Sequence, residues 1–291
     1  MLQTAIITGA TGFVGIHLVN ELLKHGVKIT ALCRENSPNM ARLPSGIDIA
    51  YSPEELGRAD VFYHLAWEGA SGPGRSDPLL QNKNAQMAMD ALIAAKRLDC
   101  GKFIGLGTIY EKFAPQVQLS DKFGGADFYI LSKDYAHSMT KQMSLQMGIE
   151  YIWCTICHPI GKYIKPEQMA AYAISHLMAA KSPSFGSART LFDIVAVEDV
   201  ALGLYLLGQK SEPQQQEYYI GSGDAKPLYR WLEDIKLALE VCTDIGIGQR
   251  PDDKLRFEGE WLDISPISEE VGYMPQVSLK DAVKNVALWL S

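Results

Sequence analysis

Apolar residues come in short runs through the first half of the chain, separated by longer stretches with helical spacing. Residues 3–8 (QTAIIT), 27–33 (VKITALC), 61–66 (VFYHLA), 103–106 and 151–157 (YIWCTIC) read as strands, and residues 47–50 as a weaker one. Apolar runs of this length, bounded by turn residues, suit strands buried on both faces. Between them, residues 12–25 place Val14, Leu18, Leu22 and Leu23 on one helical face, and residues 85–98 and 129–147 read as further helices. Strands alternating with helices predict βαβ units and a doubly wound parallel α/β sheet. Its chemistry then belongs at the carboxyl ends of the strands.

After Gly161 the rhythm changes. Helices are predicted over 169–180, 198–207, 228–241 and 281–290, with short strands at 194–197 and 218–220. This half reads as a smaller C-terminal α/β substrate lobe. The expected division is a dinucleotide-binding domain over 1–160, to which 187–221 return, and a mainly substrate-binding lobe over 161–291. No internal repeat, low-complexity stretch or long linker interrupts it.

Composition narrows the function classes. The 291 residues are 47% apolar and 21% charged, ordinary for a globular chain that can bury a sizeable core. Lys plus Arg number 27 against 34 Asp plus Glu, a net charge of −7 with no basic run. That excludes nucleic-acid and anionic-membrane binding by phosphate neutralisation. Five cysteines at irregular spacing make no disulfide framework. No 18-residue apolar run or leader pattern is present, so a reduced, cytoplasmic chain is expected.

The strongest chemical signal is Thr8-Gly9-Ala10-Thr11-Gly12-Phe13-Val14-Gly15, where glycines follow a predicted strand and open a predicted helix. Absent side chains let backbone N–H groups and a helix N-terminus approach a pyrophosphate. The spacing is G-x-x-G-x-x-G. The second signal is Tyr129-Ile130-Leu131-Ser132-Lys133. Residues four apart share a helix face. An ammonium beside a phenol favours the phenolate and makes a proton donor or acceptor usable near neutral pH. The third is Thr108, after a central strand, whose hydroxyl suits either a substrate oxygen or a turn cap.

These residues resemble the extended short-chain dehydrogenase/reductases, the NAD-dependent epimerase/dehydratase group, and the resemblance spans nearly the whole chain. His64-Leu65-Ala66 is similar to the family's H-L-A, and Asn84 to the Asn that opens the next helix. Val197-Glu198-Asp199-Val200, Tyr219-Ile220-Gly221-Ser222-Gly223 and Asp263-Ile264-Ser265 through Gly272-Tyr273 resemble its later motifs. The resemblance implies a Rossmann-type fold. It implies dinucleotide contacts from Gly9, Thr11, Gly12, Phe13, Val14, Gly15, Leu65, Ala66, Asn84 and Ile160. It implies Tyr129 as acid/base, Lys133 as its electrostatic partner and ribose ligand, and Thr108 as the family's Ser/Thr. The family's S-S-S-x-x-V-Y-G is shortened here to Leu106-Gly107-Thr108-Ile109-Tyr110-Glu111. A homodimer through residues 85–98 and 132–147, with Met87, Met89, Met139, Met143 and Met147, is also implied.

Strand two ends in Cys33-Arg34-Glu35, without an acidic residue at the ribose position. An Arg there pairs with a 2′-phosphate, so NADP(H) is favoured and NAD(H) remains open. The absence of an acid pair directly after Thr108 disfavours dehydration. The expected activity is reduction of a 4-keto-6-deoxy nucleotide sugar, with an NAD-dependent C4-epimerase and a non-catalytic nucleotide-sensing module as alternatives. Trp67, His158 and Arg189 are the candidate substrate contacts; His158 reads either as a second acid/base or as a hydrogen-bonded loop residue. Cys154 and Cys157 fall on opposite strand faces, and no His spacing suggests a metal site.

Overall fold

The computed structural model describes residues 2–252 and 255–291. The first half contains β1 (Thr4–Thr8), α1 (Phe13–Lys24), β2 (Lys28–Leu32), β3 (Asp48–Ala50), β4 (Val61–His64), α2 (Pro78–Arg97), β5 (Lys102–Leu106), α3 (Ala114–Gln118), α4 (Asp127–Met147) and β6 (Glu150–Thr155). There follow β7 (His158–Ile160), α5 (Met169–Met178), β8 (Leu191–Phe192), β9 (Ile194–Ala196), α6 (Val197–Gln209) and β10 (Glu217–Tyr219). The last elements are β11 (Lys226–Pro227), α7 (Leu228–Ala238), α8 (Ser265–Val271) and α9 (Leu279–Leu290).

The main sheet has seven parallel strands in the order β3-β2-β1-β4-β5-β6-β10. The pleat sorts its side chains cleanly. Ile7, Tyr63, Ile104 and Ile152 join Leu18 and Leu22 of α1 and Val200 and Leu204 of α6 in one core. Ile6, Phe62, Phe103 and Tyr151 join Ala88 and Leu92 of α2 and Ala136 of α4 in another. A sheet covered on both faces explains why its strands read as unbroken apolar runs. The chain winds outward from β1 to β3, then returns to β4 on the other side of β1. That reversal makes β1 and β4 the switch point, where a crevice opens at the carboxyl ends of the strands.

The structure departs from the sequence reading at three boundaries. The run 151–157 is broken: β6 ends at Thr155, and β7 leaves the sheet to pair with β9. Helix α2 begins at Pro78, well before residue 85. Asp77 caps it by accepting from the Leu79 and Leu80 amides at 3.0 and 3.1 Å, and Pro suits the first helical position. Asn84 therefore lies inside the helix and does not open it. A 3-10 turn (Ile109–Phe113) and α3, both unpredicted, lie between β5 and α4. The smaller lobe packs α5, α7 and α9 around Trp231, Ile235, Val283 and Val286. No helix of the described residues is long and apolar enough to cross a membrane.

Candidate active site at the strand ends

The glycine turn joins β1 to α1. Gly9 has φ +75°, and a Cβ there would lie 2.6 Å from the Ala66 nitrogen. A Cβ on Gly15 would lie 2.1 Å from the Gly9 carbonyl oxygen. Only hydrogen fits either place, so the turn folds tightly against the Leu65–Ala66 backbone. Gly12 is the N-cap of α1; no side chain caps the helix, and no acid occupies its first turn. The helix start is thus open to an anion beside Phe13 and Val14, which fits a dinucleotide pyrophosphate. Thr11 meets Ser37 across the turn, hydroxyl to hydroxyl, at 3.0 Å.

Tyr129 and Lys133 both point inward from α4. Lys133 Nζ donates to the Leu106 carbonyl at 2.7 Å and lies 3.7 Å from the centroid of the Trp67 ring. Burial lowers its pKa to about 7, against a smaller upward pull from Glu111. Tyr129 is buried, and burial raises its pKa. The Arg75 guanidinium and the Thr108 hydroxyl lie against the phenol and favour its ionised form. Trp67 meets Tyr129 edge-on at 6.3 Å. The structure thus brings Thr108, Tyr129, Lys133 and Trp67 together.

Thr108 is held by a capping box. Its side chain accepts from the Tyr110 amide at 3.4 Å, and Glu111 accepts from the Thr108 amide at 3.2 Å. Glu111 is itself buried and also accepts from Trp153 Nε1 at 2.9 Å, with His137 Nδ1 at 3.0 Å. The sequence signal for this carboxylate is the capping-box spacing of Thr108 and Glu111.

The loop after β4 is fastened to α2. Asn84 donates to the Glu68 carbonyl at 2.7 Å and accepts from the Glu68 amide at 3.0 Å. Gln81 accepts from Trp67 Nε1 at 2.8 Å and donates to the Gly74 carbonyl at 2.8 Å. His158, at the start of β7, accepts at Nε2 from the Ala170 amide at 3.4 Å. Burial, aided by Arg75, lowers its pKa to about 4, so it is neutral near pH 7. Ile160 is buried two residues on.

One expected residue is placed differently. Arg34 pairs with Glu68 at 3.1 Å in an exposed ion pair, which sets an acid beside the cation; a preference for NADP has no support in this geometry. Arg189 is exposed in the smaller lobe and lines a cavity of about 650 Å³ with Tyr229 and Lys236. Among the described residues no group of His, Cys, Asp and Glu could hold a metal ion.

The chain is similar to a putative UDP-glucose 4-epimerase of Methanocaldococcus jannaschii, 24% identical over 98% of this chain and 97% of the relative. Its fold is similar to that of UDP-N-acetylglucosamine 4-epimerase from Methanobrevibacter ruminantium (TM-score 0.82, 22% identity, 99% of this chain and 98% of that one). It is also similar to Thermus thermophilus UDP-glucose 4-epimerase, solved with NAD (TM-score 0.79, 15% identity, 99% of both chains). The model of the NAD dependent epimerase/dehydratase family matches residues 5–221, which include the glycine turn, Thr108, Tyr129, Lys133 and His158. With the strand order, the open helix start and the buried Tyr–Lys pair, that match makes this chain a member of the NAD dependent epimerase/dehydratase family.

Proposed function

We propose that this protein is a nucleotide-sugar 4-epimerase that keeps NAD bound, with Tyr129 moving the proton at the reacting sugar oxygen. The observation that carries the reading is the surroundings of Tyr129. The phenol is withdrawn from water, with Thr108 and Arg75 against it and the Lys133 ammonium one helical turn on. Bound NAD supplies the hydride acceptor and donor. Tyr129 takes the hydroxyl proton as the sugar carbon is oxidised and returns it afterwards. Thr108 orients the oxygen, and the Lys133 charge favours the phenolate and binds the ribose. Gly9, Thr11, Gly12, Phe13, Val14 and Gly15 border the pyrophosphate. Leu65, Ala66, Asn84 and Ile160 border the rest of the dinucleotide. Trp67 and His158 face the sugar, and Arg189 the nucleotide.

The Arg34–Glu68 pair supports NAD over NADP, since a 2′-phosphate at the end of β2 would meet Glu68 as well as Arg34. NAD retained in place suits an epimerase, which oxidises and re-reduces one substrate. Similarity to proteins described as 4-epimerases, one of them solved with NAD, supports the same reading. Elimination of water finds less support: Glu111, the nearby carboxylate, is occupied by Trp153, His137 and the Thr108 amide. A homodimer would use α2 and α4, where Ile93, Tyr135 and Leu145 are exposed.

The test compares wild type with Tyr129→Phe, each denatured to identify released nucleotide and each assayed for 4-epimerisation of UDP- and dTDP-sugars. Both are expected to release NAD, with turnover of the variant down at least about 100-fold. Unchanged turnover removes Tyr129 from the mechanism. Wild type that retains no NAD and consumes NADPH on a 4-keto sugar is a reductase instead.

A further inference from the structure

Arg75 sits in the short 3-10 turn between β4 and α2 (Gly72–Ser76). Its guanidinium carbon lies 4.5 Å from the centroid of the Tyr129 ring and 4.9 Å from that of Tyr110. The guanidinium thus lies against two aromatic rings, and His158 is close enough to feel its charge. The turn that carries it is tightly held. Gln81, fully buried, donates to the carbonyls of Gly69 and Gly74 at 3.1 and 2.8 Å. The Asp77 amide donates to Gly74 as well, at 3.3 Å. Gly69 and Gly74 touch so closely that a Cβ on Gly74 would lie 2.7 Å from the Gly69 Cα. The cation is therefore placed in advance of any ligand.

The acids nearby are engaged elsewhere. Glu68 pairs with Arg34, Asp77 caps α2, and Glu167 accepts from the Ser71 hydroxyl at 3.0 Å. The Nε of Arg75 is buried and has no hydrogen-bond partner. A buried guanidinium N–H without an acceptor is costly, and native proteins rarely leave one so. Here it borders the groups that meet the substrate, so the missing acceptor is one that a ligand brings.

We propose that Arg75 reads an acid group on the sugar carbon next to the reacting one, so that the preferred substrate is a nucleotide-linked sugar acid of the uronic class. The inference rests on the nucleotide-sugar reading above and deepens it. Tyr129 addresses the oxygen on C4. A cation against the Tyr129 ring reaches substituents of the neighbouring carbons, whereas the diphosphate hangs from C1 across the ring. A carboxylate on C5 matches the guanidinium fork and supplies the acceptor that Nε lacks.

The test is calorimetric titration of the NAD-loaded enzyme with matched pairs, UDP-glucose against UDP-glucuronate and the same two sugars on dTDP. Wild type is expected to bind the acid at least about tenfold more tightly than the neutral sugar on the same nucleotide, which corresponds to about 1.4 kcal/mol. In Arg75→Gln the ratio should fall to about one. In Arg75→Lys, a charge without the fork, it should be intermediate. Equal affinities in wild type, or a preference that survives in Arg75→Gln, overturn the role of Arg75 and leave the nucleotide-sugar reading standing. Binding of none of the four sugars overturns that reading and this inference with it.

Discussion

Burial lowers the Lys133 ammonium from its ordinary 10.5 to about 7, and this has a measurable consequence for stability. Below pH 7 the side chain is protonated in both folded and unfolded chains, and the full cost of burying its charge is present. Between about 7 and 10.5 the unfolded chain binds more protons, so the stability of the folded chain rises with pH. Lys133→Met, which keeps the apolar stem against Trp67, removes that cost along with the Leu106 bond. In protein stripped of dinucleotide, we expect Lys133→Met to melt several degrees above wild type at pH 6. The gap should narrow steadily toward pH 10, as followed by calorimetry in a pH series. A gap that stays constant across the series would show that Lys133 is not carrying a buried charge. Tyr129 and Lys133 were recognisable beforehand because four residues on one helix turn is a local pattern. Arg75 lies in a Gly/Pro/Ser-rich stretch with no local pattern to single it out. Its place against Tyr129 depends on a turn 54 residues earlier in the chain being folded across the sheet.

At the scale of elements, the β1–turn–α1 unit is determined almost entirely by its own residues. Three glycines within seven positions permit a turn in which backbone touches backbone. Gly15→Ala is accordingly expected to weaken NAD binding at least about tenfold, because the new methyl meets the Gly9 carbonyl and not a side chain that can turn aside. Asn20→Ala, on the exposed face of α1, is the control and should leave affinity unchanged; equal affinities in both variants would mean that the turn tolerates a Cβ. The start of α2 shows the opposite case. Leu79 is exposed, and Gln81-Asn82-Lys83-Asn84 carry no apolar stripe, so periodicity begins only later. The true boundary is set by the Asp77 cap and Pro78. The two turns missed in this way include Gln81 and Asn84, which hold the loop bearing Trp67 and Arg75.

Across the whole molecule, the two halves are tied by side chains far apart in sequence. Asp199, near the start of α6, accepts from the Gln276 and Val277 amides at 2.8 and 3.1 Å and anchors the segment leading into α9. Asp193, fully buried, accepts from the Tyr219 hydroxyl at 2.6 Å and from the Ser222 amide at 3.0 Å, which fastens the end of β10. Asp199→Ala leaves two amides without their acceptor. It should cost about 2–4 kcal/mol and lower the melting temperature by several degrees. Because α9 packs on α5 and α7, protection of α9 amides from hydrogen exchange should fall with it. Full protection of α9 in the variant would show that the anchor is dispensable.

The parallel sheet, the glycine turn and the Tyr–Lys pair could be read from the amino-acid sequence because each depends on local rules: side-chain periodicity, glycine backbone freedom and helical spacing. The break at residue 156, where β7 leaves the sheet for β9, was not readable, because both partners are equally apolar and only their packing separates them. The tertiary structure alone decided which charges were already answered. Arg34 and Glu68 are 34 positions apart, and their exposed pair sets an acid beside the cation on which a preference for NADP depended. Glu111 and Trp153 are 42 apart, and their bond occupies the carboxylate nearest Thr108. A charge declares its sign in the sequence, but its partner is chosen by the fold, since electrostatic and hydrogen-bond pairing depends on distance in space.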